Sequence, residues 1–380
     1  MFRKSEIKFL PDGQSYCYLL ISAVIVLIMI ILSSCSGGGG NIVGVRRIKD
    51  SAGREVTLPD TIRSVIALKS GTMRLLSYMG VTELVSHIEE NEKRRNVPYL
   101  FANQHLRNLP VIGTGNNYDT ELLASASSDL ILATYMSSQE ADRLQNLTKK
   151  PVVLLDYGDL NSHRDNLYST LSLLGEIFHL KDRSDTLRNY IEATISECGL
   201  RARNSTEQPG SVYLGGVAYN GAHGITSTKT DYTPFLILAL NPATGESGLN
   251  NRNEALSHEV LTIDPEQLLK WDPDIIFLDA AGRQIWEKEI NGSRIFNNLT
   301  AIQSGKMFTV LPYNWNTTNY ENILCNFWYI GSVLLGSAFS DIDYAAKSRE
   351  IFLFFYGRDI FDEVDNYYKP FRRYLKTTVK

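Results

Sequence analysis

Short apolar runs bounded by polar residues recur along the chain, at residues 64–68, 84–88, 130–134, 151–156, 211–217, 275–279 and 307–311. Each is too brief for a helix. Near-continuous apolar runs of this length fit strands covered on both faces, as in a parallel sheet. Between the first two, residues 73–79 predict a helix stopped by Gly80. Strands alternating with helices predict open α/β sheets. The pattern changes at 162–199, where strand signals vanish. Leu167, Leu171, Leu174 and Phe178 keep helical spacing, as do Leu187, Tyr190 and Ile191. This segment reads as one long helix, or two in series with a break near 179–181. A turn-rich linker at 204–210 opens a second lobe, which contains a helix at 320–335 and an aromatic-rich helical tail at 341–374. The aromatic run Phe352, Phe354, Phe355 and Tyr356 is read as packing. The predicted organisation is an α/β lobe at 48–160, a connecting helix at 161–203 and a second α/β lobe with a helical tail at 204–380.

A short segment occurs twice. Asp119-Thr120-Glu121-Leu122-Leu123 precedes Asp129-Leu130-Ile131-Leu132, and Asp264-Pro265-Glu266-Gln267-Leu268 precedes Asp274-Ile275-Ile276-Phe277. Asp119 and Asp264 are good N-caps, and Pro265 suits the first helical position. Glu121 and Glu266 fall in the first turn, where the helix dipole favours an anion. The repeated helix–strand unit predicts related lobes.

Composition adds location. Arg3, Lys4 and Lys8 precede an apolar stretch at 16–32, and Leu32-Ser33-Ser34-Cys35 matches the lipobox of bacterial lipoproteins. Residues 1–34 are read as a signal peptide, Cys35 as the lipidated residue and 35–47, with its glycine run, as a flexible tether. An uncleaved membrane anchor is the alternative. Either places the protein outside the cytoplasm, held to a bacterial membrane. Net charge is −4, with no basic patch, which argues against nucleic acid. Beyond Cys17 and Cys35 only Cys198 and Cys325 remain, as a disulfide pair or as buried thiols.

In order and spacing these features resemble the substrate-binding lipoproteins of ABC importers that take up iron–siderophore complexes, haem or vitamin B12. The resemblance runs from about Ile48 to Gly357. It includes residues 63–80, both Glu-containing repeats, Ile302-Gln303-Ser304-Gly305-Lys306-Met307-Phe308 before a strand, and Phe339-Ser340-Asp341-Ile342-Asp343. It implies two open, mostly parallel α/β lobes joined by a long helix, with the ligand cleft between them. It also implies a monomer that delivers a small-molecule metal–organic complex to a permease and its ATPase, without a cofactor of its own. Glu121 and Glu266 fall where such proteins dock to permease arginines; as residues alone, they are also ordinary first-turn acids.

Ligands of open α/β sheets gather at the carboxyl ends of the strands. That rule selects Ser70 and Lys69, Glu89-Glu90-Asn91, Asn116, Tyr135, Tyr219, His223, His258, Asp279 and Trp315. Tyr135, Tyr219, His223 and Trp315 suit an organic ligand with aromatic walls, although His223 is equally a surface-loop residue. Lys69 and Arg283 could neutralise an anionic ligand or stay solvated. Six scattered histidines give no compact metal motif, which favours an intact metal complex over a bare ion. No phosphate loop, G-x-S-x-G elbow or H-E-x-x-H is present, so an enzyme is disfavoured. A tethered binding module outside ABC import is the remaining alternative.

Overall fold

The computed structural model describes residues 44–114, 117–244 and 260–376. The described residues from Arg46 onward form one compact unit. Cys35, the leader and tether before residue 44, Asn116 and His258 lie outside the described residues.

Two four-stranded sheets carry the fold. The first has the order β2-β1-β3-β4, with β1 Val65–Leu68, β2 Val85–His87, β3 Leu130–Ala133 and β4 Val152–Leu154, all parallel. The second has the order β8-β7-β6-β5, with β5 Val212–Gly215, β6 Ile275–Asp279, β7 Met307–Val310 and β8 Arg373–Tyr374. Its first three strands in sequence are parallel and β8 is antiparallel. The helical tail predicted to Tyr374 therefore stops early. It forms α9 Tyr344–Tyr356 and α10 Phe361–Tyr368, which ends on Lys369 in the left-handed region. Pro370 follows, and the Phe371 N–H then bonds the Thr309 carbonyl at 2.8 Å, which turns the chain onto the sheet edge.

Every residue of β1, β3, β4, β5 and β6 is buried. The strand alternation divides these residues between cores. Val65, Ala67, Leu130, Leu132 and Val153 from the first sheet share one apolar cluster with Val212, Leu214, Ile275, Phe277 and Val310 from the second. Ile66, Ile131 and Val152 face a separate outer cluster, and Tyr213, Ile276 and Met307 another. The common core is filled by α1 Thr72–Met79, α4 Arg164–Ile177, α5 Lys181–Arg203, α8 Tyr320–Leu334 and α9. The connection is two helices in series, and His179 at the break has φ 57°. Phe352 and Phe355 are fully buried, and Phe354 stacks on Tyr190 at 3.9 Å. Cys198 and Cys325 are free, buried thiols, so the disulfide alternative falls.

The repeat has a physical basis. Helices α2 Thr120–Ser125 and α6 Pro265–Trp271 each bury one leucine, Leu123 and Leu268. The second aspartate of each copy then pins the neighbouring strand. Asp129 Oδ2 accepts from the N–H groups of Arg63 and Ser64, and Asp274 Oδ2 from the N–H and hydroxyl of Ser211. Ser64 Oγ and Ser211 Oγ accept in return from the aspartate N–H groups, both at 3.1 Å. The caps differ: Asp119 caps α2 with its side chain, whereas the Gln267 N–H turns to the Asp264 carbonyl and leaves that side chain without a cap bond.

Replacing Asp129 or Asp274 with Ala should each lower stability by about 1–2 kcal/mol, because each leaves strand-start donors without their acceptor. The losses should add, since the sites lie in different sheets. Urea unfolding midpoints measure this; unchanged midpoints would contradict the pinning role.

Candidate functional site

The carboxyl ends of both sheets meet around the loop that follows β7. Asp279, at the end of β6, is fully buried and accepts from the Tyr313 N–H at 2.7 Å. It shapes this loop and is not among the residues lining the cavities. Burial pushes its carboxyl up to about 7, against hydrogen bonds from the Tyr313 and Ala281 amides.

The loop's backbone polar groups are met from both sides. Arg74, fully buried on α1, donates through Nη1 to the Thr318 carbonyl at 2.9 Å, the Asn316 carbonyl at 3.2 Å and the Tyr157 hydroxyl at 2.7 Å. Its Nη2 donates to the Trp315 carbonyl and to Asn319 Oδ1. Asn319 Nδ2 in turn donates to the Tyr313 and Thr317 carbonyls at 3.1 Å. This cradle holds Asn316 and Thr317 at φ 59° and 68°. For a β-branched residue that conformation is strained and needs such support. Arg74 Nε and Glu321 Oε1 lie 4.0 Å apart, both buried and without a hydrogen-bond partner. Gly71 lies beneath the loop: a Cβ there would meet the Tyr157 ring at 2.2 Å and Thr317 Cγ2 at 2.7 Å.

Two chambers flank the loop. The larger is about 770 Å³ and is lined by Lys69, Ser70, Glu89, Arg95, Asn117, Asn220, Trp315 and Asn316, among others. The smaller is about 280 Å³ and includes Asp156, Asp159, His163, Asn166 and Lys229. Tyr135 and Tyr219 line both. Tyr135, at φ 48°, meets Thr317 Oγ1 through its hydroxyl at 2.6 Å, which links the end of β3 to the loop of the second sheet. Ser70 is fixed by its carbonyl, which accepts from Thr134 Oγ1 at 2.7 Å.

Six of the sequence-selected residues thus converge: Lys69, Ser70, Glu89, Tyr135, Tyr219 and Trp315. His223 does not line either chamber. Its Nε2 lies 2.6 Å from the Tyr219 carbonyl, so the ring closes its own glycine-flanked loop. Arg283 is also elsewhere. It pairs with Glu287 at 2.8 Å and donates to the Lys369 carbonyl, tying α7 Arg283–Gly292 to the turn before β8. Sequence reasoning missed Arg95 and Arg74. The signal for Arg74 was a charge inside the apolar helix Met73-Arg74-Leu75-Leu76. Among the described residues, no group of three His, Cys, Asp or Glu is placed to hold a metal ion, and no helix is long and apolar enough to cross a membrane. Glu121 and Glu266 are both exposed, each in the first turn of its repeat helix.

A family model described as periplasmic binding protein matches residues 65–313. The molybdate-binding protein MolA of Haemophilus influenzae is 21% identical over 330 residues, 82% of this chain and 91% of that one. The Fe(3+)-citrate-binding protein YfmC of Bacillus subtilis is 22% identical over 273 residues, 71% and 79% of the two chains. The solved structure of the Haemophilus protein with molybdate superposes with a TM-score of 0.65 at 19% identity, covering 83% of this chain and 98% of that one.

Replacing Arg74 with Met should destabilise the protein by about 3–5 kcal/mol, because Glu321 is left buried without its cation. Adding Glu321→Gln should recover part of that loss. Denaturant titration of the single and double variants reads the coupling, and strictly additive losses would mean that the pair does not act together.

Proposed function

The chain belongs to the periplasmic binding protein family, and on that premise we propose that it is a lipid-anchored receptor for an anionic metal complex, which it hands to an ABC permease. Proteins of this family bind small ligands and deliver them to ABC permeases; they are transport proteins, not enzymes. The observation that carries the ligand reading is the larger chamber. It brings Lys69 and Arg95 together with Ser70, four asparagines and two tyrosines in a space of about 770 Å³. That volume suits an organic ligand. Of the iron-chelate, haem and corrinoid classes implied by the resemblance, an oxygen-rich chelate makes most use of these donors. A free oxyanion of the molybdate kind is the second reading, favoured by the Haemophilus relative, which matches most of this chain.

In this reading residues 1–34 are removed, Cys35 carries the lipid, and the receptor works as a monomer outside the cytoplasm; the tether ends before the expected residue 47, because Val45–Lys49 is a strand and Arg46 donates to the Glu176 carbonyl. The lobes are 48–160 and 204–380, joined by 161–203. Glu121 and Glu266 dock to permease arginines. Their support is the matching place of each on α2 and α6, reinforced by the shared Asp–Ser pinning of the two sheets. Exposed ion pairs contribute about 0.2–1 kcal/mol each, enough to orient the receptor and still let it leave.

Thermal melting with ferric citrate, ferric siderophores, haem, cobalamin and molybdate tests the ligand class. At a hundredfold excess over its dissociation constant, the true ligand adds about 2.7 kcal/mol. A shift only with neutral or cationic solutes would sink the anion reading. The double variant Glu121→Lys, Glu266→Lys should bind ligand normally and lose uptake in cells, and uptake that survives would remove the docking role.

A further inference from the structure

The larger chamber holds one buried acid among its cations. Glu89, following β2, lines the chamber at 2% exposure. Its Oε1 has no hydrogen-bond partner. The charged groups facing it are Lys69 after β1, and Glu92 and Arg95 on the turn that follows it. Both cations have other acids to serve. Lys69 Nζ lies 3.9 Å from Glu140 and 5.4 Å from the centre of the Tyr118 ring. Arg95 bonds Glu92, whose other oxygen accepts from the Tyr99 hydroxyl at 2.7 Å. Burial pushes the Glu89 carboxyl up to about 7, and Glu92 adds to this; the Lys69 backbone N–H, Arg95 and the Lys69 charge pull the other way.

An ionised carboxylate at this position would repel an anionic solute, whereas a neutral acid offers it an O–H donor. We propose that Glu89 is the specificity-determining group of the larger chamber: in its neutral form it donates a hydrogen bond to an oxygen of the bound anion, so that capture takes up a proton from water. The inference rests on the reading of this chamber as an anion site. It selects solutes that present an acceptor oxygen to the acid. It also sets the sign of the pH dependence. An anion beside Glu89 raises its affinity for the proton further, so binding is strongest below the carboxyl's free value and weakens as pH rises through it.

The test is calorimetric titration of the full-length chain in detergent with sodium molybdate and with ferric citrate. Affinity should fall about tenfold between about pH 6 and about pH 8, as the linkage of a single proton requires. Repeating the titration at the higher pH in buffers of different ionisation enthalpy should show proton uptake on binding. Glu89→Gln keeps a neutral donor of the same shape, and should bind with little pH dependence and without proton uptake. Glu89→Ala lacks the donor and should bind more weakly than Glu89→Gln at both pH values, with melting curves confirming that each variant is folded. Wild-type binding that is flat with pH, binding that strengthens as pH rises, or a slope that survives in Glu89→Gln would overturn the role of Glu89 and leave the anion site standing. Failure of both anions to bind at either pH, while a neutral or cationic complex binds, would overturn the anion site and this inference with it.

Discussion

Much of the site depends on one buried cation. Arg74 sits in a helix whose every residue is buried, yet its guanidinium reaches the backbone of a loop about 240 positions away in sequence. Removing an arginine from water is costly unless its donors are met. Here carbonyls of residues 315, 316 and 318 meet them, together with Tyr157 and Asn319. The exchange works in both directions. Those carbonyls belong to a loop bent through two left-handed residues, and without the cation the bend would lose its main hydrogen-bond donor. The loop then presents Trp315, Asn316 and Thr317 to the larger chamber. The chamber wall that the second sheet supplies is therefore set by a side chain anchored on the first.

Packing follows the same logic. Because alternate residues of both sheets enter one core, the helices between them serve both at once. Tyr78, on the same helix as Arg74, packs edge-on against Phe355 at 4.7 Å and donates to Glu321. Arg183 on α5 donates to the Tyr78 carbonyl and to two carbonyls near the end of α9. Rotating one sheet against the other would shear close-packed side chains, which resist small displacements. The Tyr135–Thr317 contact bridges the cleft at its surface, where side chains move more freely.

The sequence made the strands legible because strands covered on both faces must be almost wholly apolar, and β1, β3 and β6 are. The helix starts were legible because Asp119 and Pro265 act within a few residues of themselves. The partners of Asp129 and Asp274 were not, since Ser64 and Ser211 lie 65 and 63 positions away. For the same reason Arg74 read as one more helical residue. The rule that ligands gather at strand ends led to Lys69, Ser70, Glu89, Tyr135, Tyr219 and Trp315, which line one chamber, because it depends on topology alone. What it could not foresee is that His223 turns to the Tyr219 carbonyl of its own loop, and that Arg283 turns to Glu287 and the distant Lys369 carbonyl. Strand β8 was illegible for a different reason: two residues carry no periodicity, and only the waiting edge of β7 makes them a strand.

That edge gives the folding of the molecule a direction. Thr309 and Arg372, which meet where β8 joins the sheet, are 63 positions apart. Closing so long a segment is entropically slow, and until it closes β7 shows unpaired amides and carbonyls along an apolar strand. In the first sheet the strands are joined by shorter crossovers, and β4 follows β3 after a single helix, α3 Ser138–Thr148. The second half of the molecule is thus the one exposed longest to pairing with a neighbouring chain. The short antiparallel strand that seals it removes an edge on which a neighbouring chain could pair.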